Sequence, residues 1–121
     1  MKEKPVQPDS ERRILQTIGL AYRASLLTSG FDAIEIALHT GAVELLIVAK
    51  NGSEKQRAKL LRIAKEEEAR CRTFGTAEQL GRAIGKDMRI AVAILDRGMA
   101  DKLLLRIDEL EKNDDSAKDA E

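Results

Sequence analysis

Aromatic residues are scarce in this chain of 121 residues, which contains only Tyr22, Phe31 and Phe74. Proteins that stack bases on exposed rings need several aromatic side chains. The scarcity therefore argues against a base-stacking platform. It also means that the hydrophobic core must be built from Leu, Ile, Val and Ala.

Cysteine and histidine occur once each, as Cys71 and His39. A single cysteine excludes an internal disulfide and a cysteine-based metal cluster, and it is typical of proteins of the reducing cytoplasm, where we expect this one. No nucleophile motif accompanies either residue. We interpret His39 as a charge near a helix end and Cys71 as a small core residue. We therefore predict no catalytic residue, no metal ligand, no cofactor and no small-molecule substrate.

An excess of either charge is also lacking, since 21 Lys and Arg balance 21 Asp and Glu. The balance is uneven, because residues 113–121 carry a net charge of −3 and the remainder +3. A mildly basic body is compatible with a nucleic-acid partner, although general binders usually show a larger basic excess. No apolar run approaches the ~20 residues that cross a bilayer, and the polar N-terminus lacks the apolar segment of a signal peptide. We expect no membrane partner.

Apolar periodicity predicts one domain over residues 10–112, in which helices and strands alternate. Helices are predicted from residue 11, capped by Asp9 and Ser10, and over residues 32–39, 54–68, 77–84 and 99–110. Strands are predicted over residues 25–29, 44–49, 70–74 and 89–95. This alternation predicts a three-layer α/β/α sandwich with a mixed sheet of about four strands. Residues 1–9 are predicted to be a flexible N-terminal arm and residues 113–121 an acidic disordered tail.

One basic group lies on the predicted third helix, where Lys55, Lys59 and Arg62 share a face at helical spacing. Such a face can bind phosphate, but Glu54 and Glu66 lie on the same helix. We therefore favour a solvated face whose charges are paired with these carboxylates.

A second basic group lies around the end of the fourth helix, where Arg82, Lys86 and Arg89 cluster. The Gly85–Lys86 pair resembles the end of a phosphate-binding P-loop, but Asp87 stands where that motif needs Ser or Thr to hold magnesium. The cluster could neutralise the phosphates of a nucleic acid. From the residues alone, phosphate binding and a plain solvated surface are equally supported.

The most specific pattern lies at residues 80–94, LGRAIGKDMRIAVAI. It resembles the pattern LGxxIGKxxRxxVAI of bacterial YlxQ-type proteins and matches it at every stated position. Residues 18–24 are similar to the opening helix of that family, LGLAxRA, and residues 94–103 to its closing AITDxGFAxKI. The chain therefore resembles, over residues 14–104, the kink-turn RNA-binding superfamily that includes the ribosomal proteins L-seven-Ae and L-thirty-e.

This resemblance implies an α/β/α sandwich that binds structured RNA, either a kink-turn or ribosomal RNA, without catalysis. In the family the second helix points its N-terminus into the kink, where free N–H groups and the helix dipole attract phosphate. A second loop, just before the last strand, packs on a flipped-out nucleotide. The resemblance assigns RNA contact to Ser29, Gly30, Phe31, Asp32, Lys86, Asp87, Met88 and Arg89.

The second helix departs from the family pattern G-x-N-E-x-x-K. Ala33 stands where the family has Glu, Ile36 stands where it has a basic residue, and residues 24–49 contain no Lys or Arg. A missing charged base contact typically costs about 1–3 kcal/mol of binding free energy. Two functions remain open: an RNA-binding protein with partly lost kink-turn determinants, and a protein-interaction adaptor on the same fold. Phe31, Ile34 and Ile36 would favour the adaptor if all three were exposed.

Overall fold

The computed structural model describes the backbone of residues 6–119 and the side chains of residues 10–112. Within that range helices and strands alternate as the sequence predicted. The helices are α1 (Val6–Arg23), α2 (Phe31–His39), α3 (Glu54–Glu66), α4 (Ala77–Ala83) and α5 (Arg97–Asp119). The strands are β1 (Leu27–Ser29), β2 (Leu45–Val48), β3 (Cys71–Thr73) and β4 (Ala91–Ile94).

The four strands form one mixed sheet in the order β1-β4-β2-β3. β4 pairs antiparallel with both β1 and β2, and β3 pairs parallel with β2. Every residue of the central strands β2 and β4 is buried. Their continuous apolar sequences, LLIV and AVAI, suit strands that are covered on both faces.

Two hydrophobic cores lie on opposite faces of the sheet. Successive side chains of a strand point to opposite faces, so Leu45 and Ile47 enter one core while Leu46 and Val48 enter the other. Helices α1, α4 and α5 cover the first core, and α2 and α3 cover the second. The predicted three-layer α/β/α sandwich is confirmed.

Both ends of the chain differ from the sequence prediction. α1 begins at Val6, so residues 6–9 are helical where an arm was predicted, and Asp9 and Ser10 lie inside the helix rather than capping it. Pro8 is tolerated there because the first turn of a helix needs no N–H donor. α5 continues to Asp119, so residues 113–119 are helical where a disordered tail was predicted. A helix nucleated by packing extends at little cost.

Residues 1–5 of the predicted arm and residues 120–121 of the predicted tail lie outside the described residues. Among the helices that the structure describes, none has the length and apolar character to cross a membrane.

Candidate functional site

One end of the sheet gathers the segments that the sequence pointed to. Ser29, the last residue of β1, pairs with Val92 of β4, and Val48, the last residue of β2, pairs with Ala91. Because β4 is antiparallel to both neighbours, its beginning lies beside their ends. The N-termini of α2 and α3 and the loop of residues 84–90 therefore meet at this end.

The N-terminus of α2 has no side-chain cap. Its N-cap is Gly30, at φ +91°, and no side chain accepts a hydrogen bond from the first turn. By contrast, Ser53 Oγ caps α3 by accepting from the Gln56 amide at 3.2 Å, and Thr76 caps α4 within a capping box. The first amides of a helix lack helical acceptors and attract anions, so the start of α2 is a suitable place for a phosphate.

The loop of residues 84–90 is fixed against α4 by its own backbone. The Lys86 amide donates to the Gly81 carbonyl at 2.8 Å, and the Arg89 amide donates to the Ala77 carbonyl at 3.0 Å. A Cβ at Gly81 would overlap the carbonyl of Asp87. Glycine is required at this position because the loop backbone lies too close to the helix for any side chain. The contact holds the loop in one position relative to α2.

Arg89 joins the two predicted halves of the site. Its Nε lies 3.4 Å from Ser29 Oγ, and its Nη1 donates to the Met88 carbonyl at 3.0 Å. Between the loop and α2 lies a hollow of about 180 Å³ whose lining includes Gly30, Phe31, Met88 and Arg89. The structure therefore brings five of the eight predicted residues together, Ser29 among them.

The other three predicted residues lie on the flanks of this cluster. Asp32 is exposed in the first turn of α2. Lys86 and Asp87 lie on the far side of the loop, where they line a shallow depression together with Arg82. The Lys86 ammonium is 6.0 Å from the centre of the Tyr22 ring. Lys86 therefore faces α1 rather than α2.

Gln56, in the first turn of α3, also lines the hollow, beside Phe31 and Met88. The sequence alone did not predict this residue as part of the site. No motif surrounds Gln56. Its place follows only from the sheet order, because β2 ends next to the start of β4 and α3 begins shortly after β2.

The cations of the molecule divide into paired and unpaired groups. Ion pairs occupy the surfaces of α3, β3 and α5. They include Lys59–Glu35 at 3.4 Å, Arg62–Glu66 at 3.0 Å, Arg70–Asp101 at 2.9 Å and Arg72–Asp108 at 2.8 Å. Among residues 10–112, no carboxylate lies at ion-pair distance from Arg82, Lys86 or Arg89. The three basic residues around the loop are therefore among those that remain available to an external anion.

The predicted pairing on α3 is confirmed for Arg62 with Glu66. Lys59 differs, because its partner is Glu35 of α2 rather than a carboxylate of α3. The Lys59 ammonium also lies 5.5 Å from the centre of the Phe31 ring. Lys59 thus fixes α3 against the first turn of α2.

One large apolar side chain, that of Ile36, is exposed on α2. Ile36 is 65% exposed, whereas Ile34 is fully buried in the second core and Phe31 is half-buried. The condition that all three be exposed is therefore not met. Ile36 alone presents an apolar side chain where the family pattern has a basic one.

The lone cysteine and histidine lie away from this end of the sheet. Burial raises the pKa of Cys71 to about 11, with a smaller opposing effect from Arg72, which disfavours a reactive thiolate. His39 Nδ1 lies 3.1 Å from Glu67 Oε2, linking the ends of α2 and α3. In the part of the chain that the structure describes, no three His, Cys, Asp or Glu residues converge as a metal site.

Comparison with known proteins adds independent observations. Residues 12–104 match the model of the Ribosomal protein L7Ae/L30e/S12e/Gadd45 family. The chain is 29% identical over 91 residues to the RNA-binding protein YlxQ of Bacillus subtilis. The aligned region covers 75% of this chain and 91% of that protein.

Two solved structures have the same fold. A protein of unknown function from Bacillus halodurans superposes with a TM-score of 0.74 at 33% identity, covering 78% of this chain and 96% of that one. The Giardia lamblia 15.5kD RNA binding protein superposes with a TM-score of 0.71, covering 84% and 90%. At 16% identity, the second likeness is one of fold alone.

Proposed function

Because this chain belongs to the Ribosomal protein L7Ae/L30e/S12e/Gadd45 family, we propose that it is a non-catalytic RNA-binding protein. Its partner is a structured RNA, either a kink-turn or ribosomal RNA. The similarity to the RNA-binding protein YlxQ supports this proposal. We place its action in the cytoplasm and expect no cofactor.

The main structural support for this proposal is the contact between Arg89 and Ser29. It sets a guanidinium beside the uncapped N-terminus of α2, so two sources of positive potential face the same hollow. Both favour phosphate: the helix through free amides and its dipole, and Arg89 through charged donors. The site residues we propose are the eight that the resemblance assigned.

Lys86 and Arg82 extend this basic surface along the far side of the loop. No carboxylate among residues 10–112 lies within ion-pair distance of either cation, although Glu78 and Asp87 line the same depression and Glu78 attracts Arg82. Each phosphate contact releases counterions and therefore makes binding sensitive to salt. With two or three such contacts, we expect affinity to fall roughly 10- to 40-fold between about 50 and 200 mM salt.

The site has few side chains that could hydrogen bond to RNA bases. Ala33 and Ile36 present no group that can hydrogen bond to a guanine edge or a phosphate, and both are exposed on α2. Asp32 alone offers an acceptor in that turn. We therefore propose that the determinants of kink-turn recognition are partly lost, and that phosphate contacts and RNA shape supply most of the affinity.

Titration of a fluorescently labelled kink-turn RNA at low and then at moderate salt tests the proposal. The matched control is an RNA duplex of the same length without the kink. Binding at micromolar protein that weakens with salt and favours the kinked RNA supports the function. Absence of binding at low salt, or binding indifferent to salt, contradicts it.

One observation favours the adaptor as a second candidate. Ile36 is 65% exposed on a helix that carries no Lys or Arg, and such a face suits a protein contact better than a phosphate. An affinity purification that recovers ribosomal RNA without a stable protein partner counts against this alternative. Recovery of one stoichiometric protein after nuclease treatment, lost on substitution Ile36→Glu, supports it.

A further inference from the structure

A groove of about 460 Å³ runs between α1 and α4, on the face of the sheet opposite α2 and α3. Its floor is apolar, formed by Leu15, Gly19, Leu20 and Ala83. Its polar lining residues are Arg12, Gln16 and Arg23. This surface takes no part in the function proposed above.

The floor exists because α1 and α4 approach closely. A Cβ at Gly19 would lie 2.7 Å from the carbonyl oxygen of Ala83, so only glycine permits this crossing. Because Gly19 and Ala83 are small, there is room beside Leu20 for a side chain of another molecule. Leu20 is 51% exposed, although Ile14, Ile18 and Ala21 of the same helix are fully buried.

The rim of the groove is basic. Arg12 and Arg23 line it, separated by eleven positions of α1, which is about 16 Å along a helix. None of the lining residues is acidic. Arg23 lies over the floor, since its Nη1 would be 3.9 Å from a Cβ at Gly19, and no carboxylate among residues 10–112 pairs with it.

We propose that this groove docks an acidic amphipathic helix of a protein partner. A helix of about three turns spans the distance between Arg12 and Arg23. An aliphatic side chain of the partner would pack on Gly19, Ala83 and Leu20, while a carboxylate of the partner pairs with Arg23. This is the helix-in-groove mode of recognition, with charge complementarity setting the choice of partner.

The chemistry of the groove favours a peptide over RNA. A guanidinium can bind carboxylate or phosphate, but the apolar floor suits an aliphatic side chain, and no lining residue has a ring on which a base can stack. The hollow beside Arg89 lies at the end of the sheet where α2 begins, whereas the groove lies on α1. The hollow and the groove are therefore separate surfaces, although Lys86 of the proposed RNA site lies beside Tyr22 of α1.

Titration of the full-length ¹⁵N-labelled protein with a synthetic peptide tests the proposal. The peptide has about three helical turns, with Glu on one face and Leu on the other. We expect saturable shifts of amide resonances in α1 and α4. Leu20→Asp and Arg23→Glu should each weaken binding by at least about tenfold.

Matched controls separate docking from general attraction. Leu105 is 61% exposed on α5 and lies outside the groove. The control substitution Leu105→Asp should therefore leave peptide affinity unchanged. A peptide with Lys in place of Glu should not bind. Amide spectra of each variant show whether it is folded before the titration.

Three results overturn the proposal: no shifts in α1 and α4, equal loss from Leu20→Asp and Leu105→Asp, or equal binding of the Lys peptide. A fourth is displacement of the peptide by kink-turn RNA, because the groove would then belong to the RNA surface. Failure of the RNA to bind anywhere contradicts only the proposed function and leaves the peptide titration fully informative.

Discussion

The Nε of Arg89 lies 3.4 Å from the Oγ of Ser29, across 60 positions of the chain. Ser29 ends β1 and Arg89 precedes β4, so the antiparallel pairing of these strands brings the two residues together. The same pairing sets the loop of residues 84–90 beside the start of α2. The candidate RNA surface is thus a consequence of strand order.

Substitution Arg89→Ala should weaken RNA binding about tenfold and reduce the slope of log affinity against log salt by about 1. The reason is loss of one phosphate-directed cation that has no internal carboxylate partner. Fluorescence titration at several salt concentrations measures both quantities. Arg62→Ala is the matched control, because Arg62 is already paired with Glu66 on α3; equal effects of the two substitutions would contradict the site.

Substitution Ile36→Lys should raise RNA affinity about tenfold, because it returns a cation to the exposed face of α2. Leu105→Lys places the same charge on α5, where an exposed leucine is likewise replaced. The RNA affinities of the two variants are compared at the same salt concentration, and only Ile36→Lys should bind more tightly than wild type. A similar gain from both would mean that net charge, and not the position on α2, governs binding.

Substitution Gly81→Ala should destabilise the fold by about 1–3 kcal/mol, because the added Cβ overlaps the backbone of Asp87 and pushes the loop outward. RNA affinity should fall with it. At Gly98 the nearest contact of an added Cβ is 3.5 Å, to Asp96 Oδ2, so Gly98→Ala should be neutral or up to about 1 kcal/mol stabilising. Urea denaturation measures the free energy of unfolding of both variants. An unchanged stability of Gly81→Ala would show that the loop is not held against α4.

Arg72 donates to both carboxylate oxygens of Asp108, at 2.8 and 3.3 Å, and this hydrogen bonding lowers the pKa of Asp108. A lowered folded-state pKa gives stability that is present above the ordinary value of 3.8 and is lost as pH falls through the folded-state pKa. Both side chains are partly exposed, so we expect Asp108→Asn to cost only about 0.5–1 kcal/mol at pH 7. The difference from wild type should shrink as pH falls below 3.8 and vanish once pH is below the lowered folded-state pKa; a constant difference at all pH values would refute the ion pair.

Burial raises the pKa of the Cys71 thiol to about 11. Alkylation by iodoacetamide at pH 8 requires the thiolate, so the folded protein should react roughly 100-fold more slowly than the urea-unfolded chain. Mass spectrometry of timed samples measures both rates. Comparable rates in the two states would indicate that β3 is open at its edge.

The fold was largely predictable because its strongest signals are local. The strands predicted over residues 44–49 and 89–95 contain β2 and β4, and the helices predicted from residues 54 and 77 begin there, behind the caps Ser53 and Thr76. The family resemblance drawn from residues 80–94 is confirmed by the match over residues 12–104. Composition was a poorer guide at the ends of α1 and α5, because it does not show how far a packed helix extends.

Contacts between separate elements were not predictable in the same way. The Lys59–Glu35 pair and the position of Gln56 depend on how α3 packs against α2, and no local pattern encodes that packing. The close approach of Asp87 to Gly81 likewise joins a loop to a helix. The eight site residues came from the family resemblance, and their role in binding stays a prediction.

Mapping of the bound RNA on the protein tests the central claim most directly. Amide resonances of the ¹⁵N-labelled chain are followed during titration with a kink-turn RNA at low salt. The account predicts that the largest shifts fall at residues 29–32 and 86–89, with α3 beyond its first turn unaffected. Shifts confined to α1, α5 or the paired cations of α3, or no shifts at all, would contradict it.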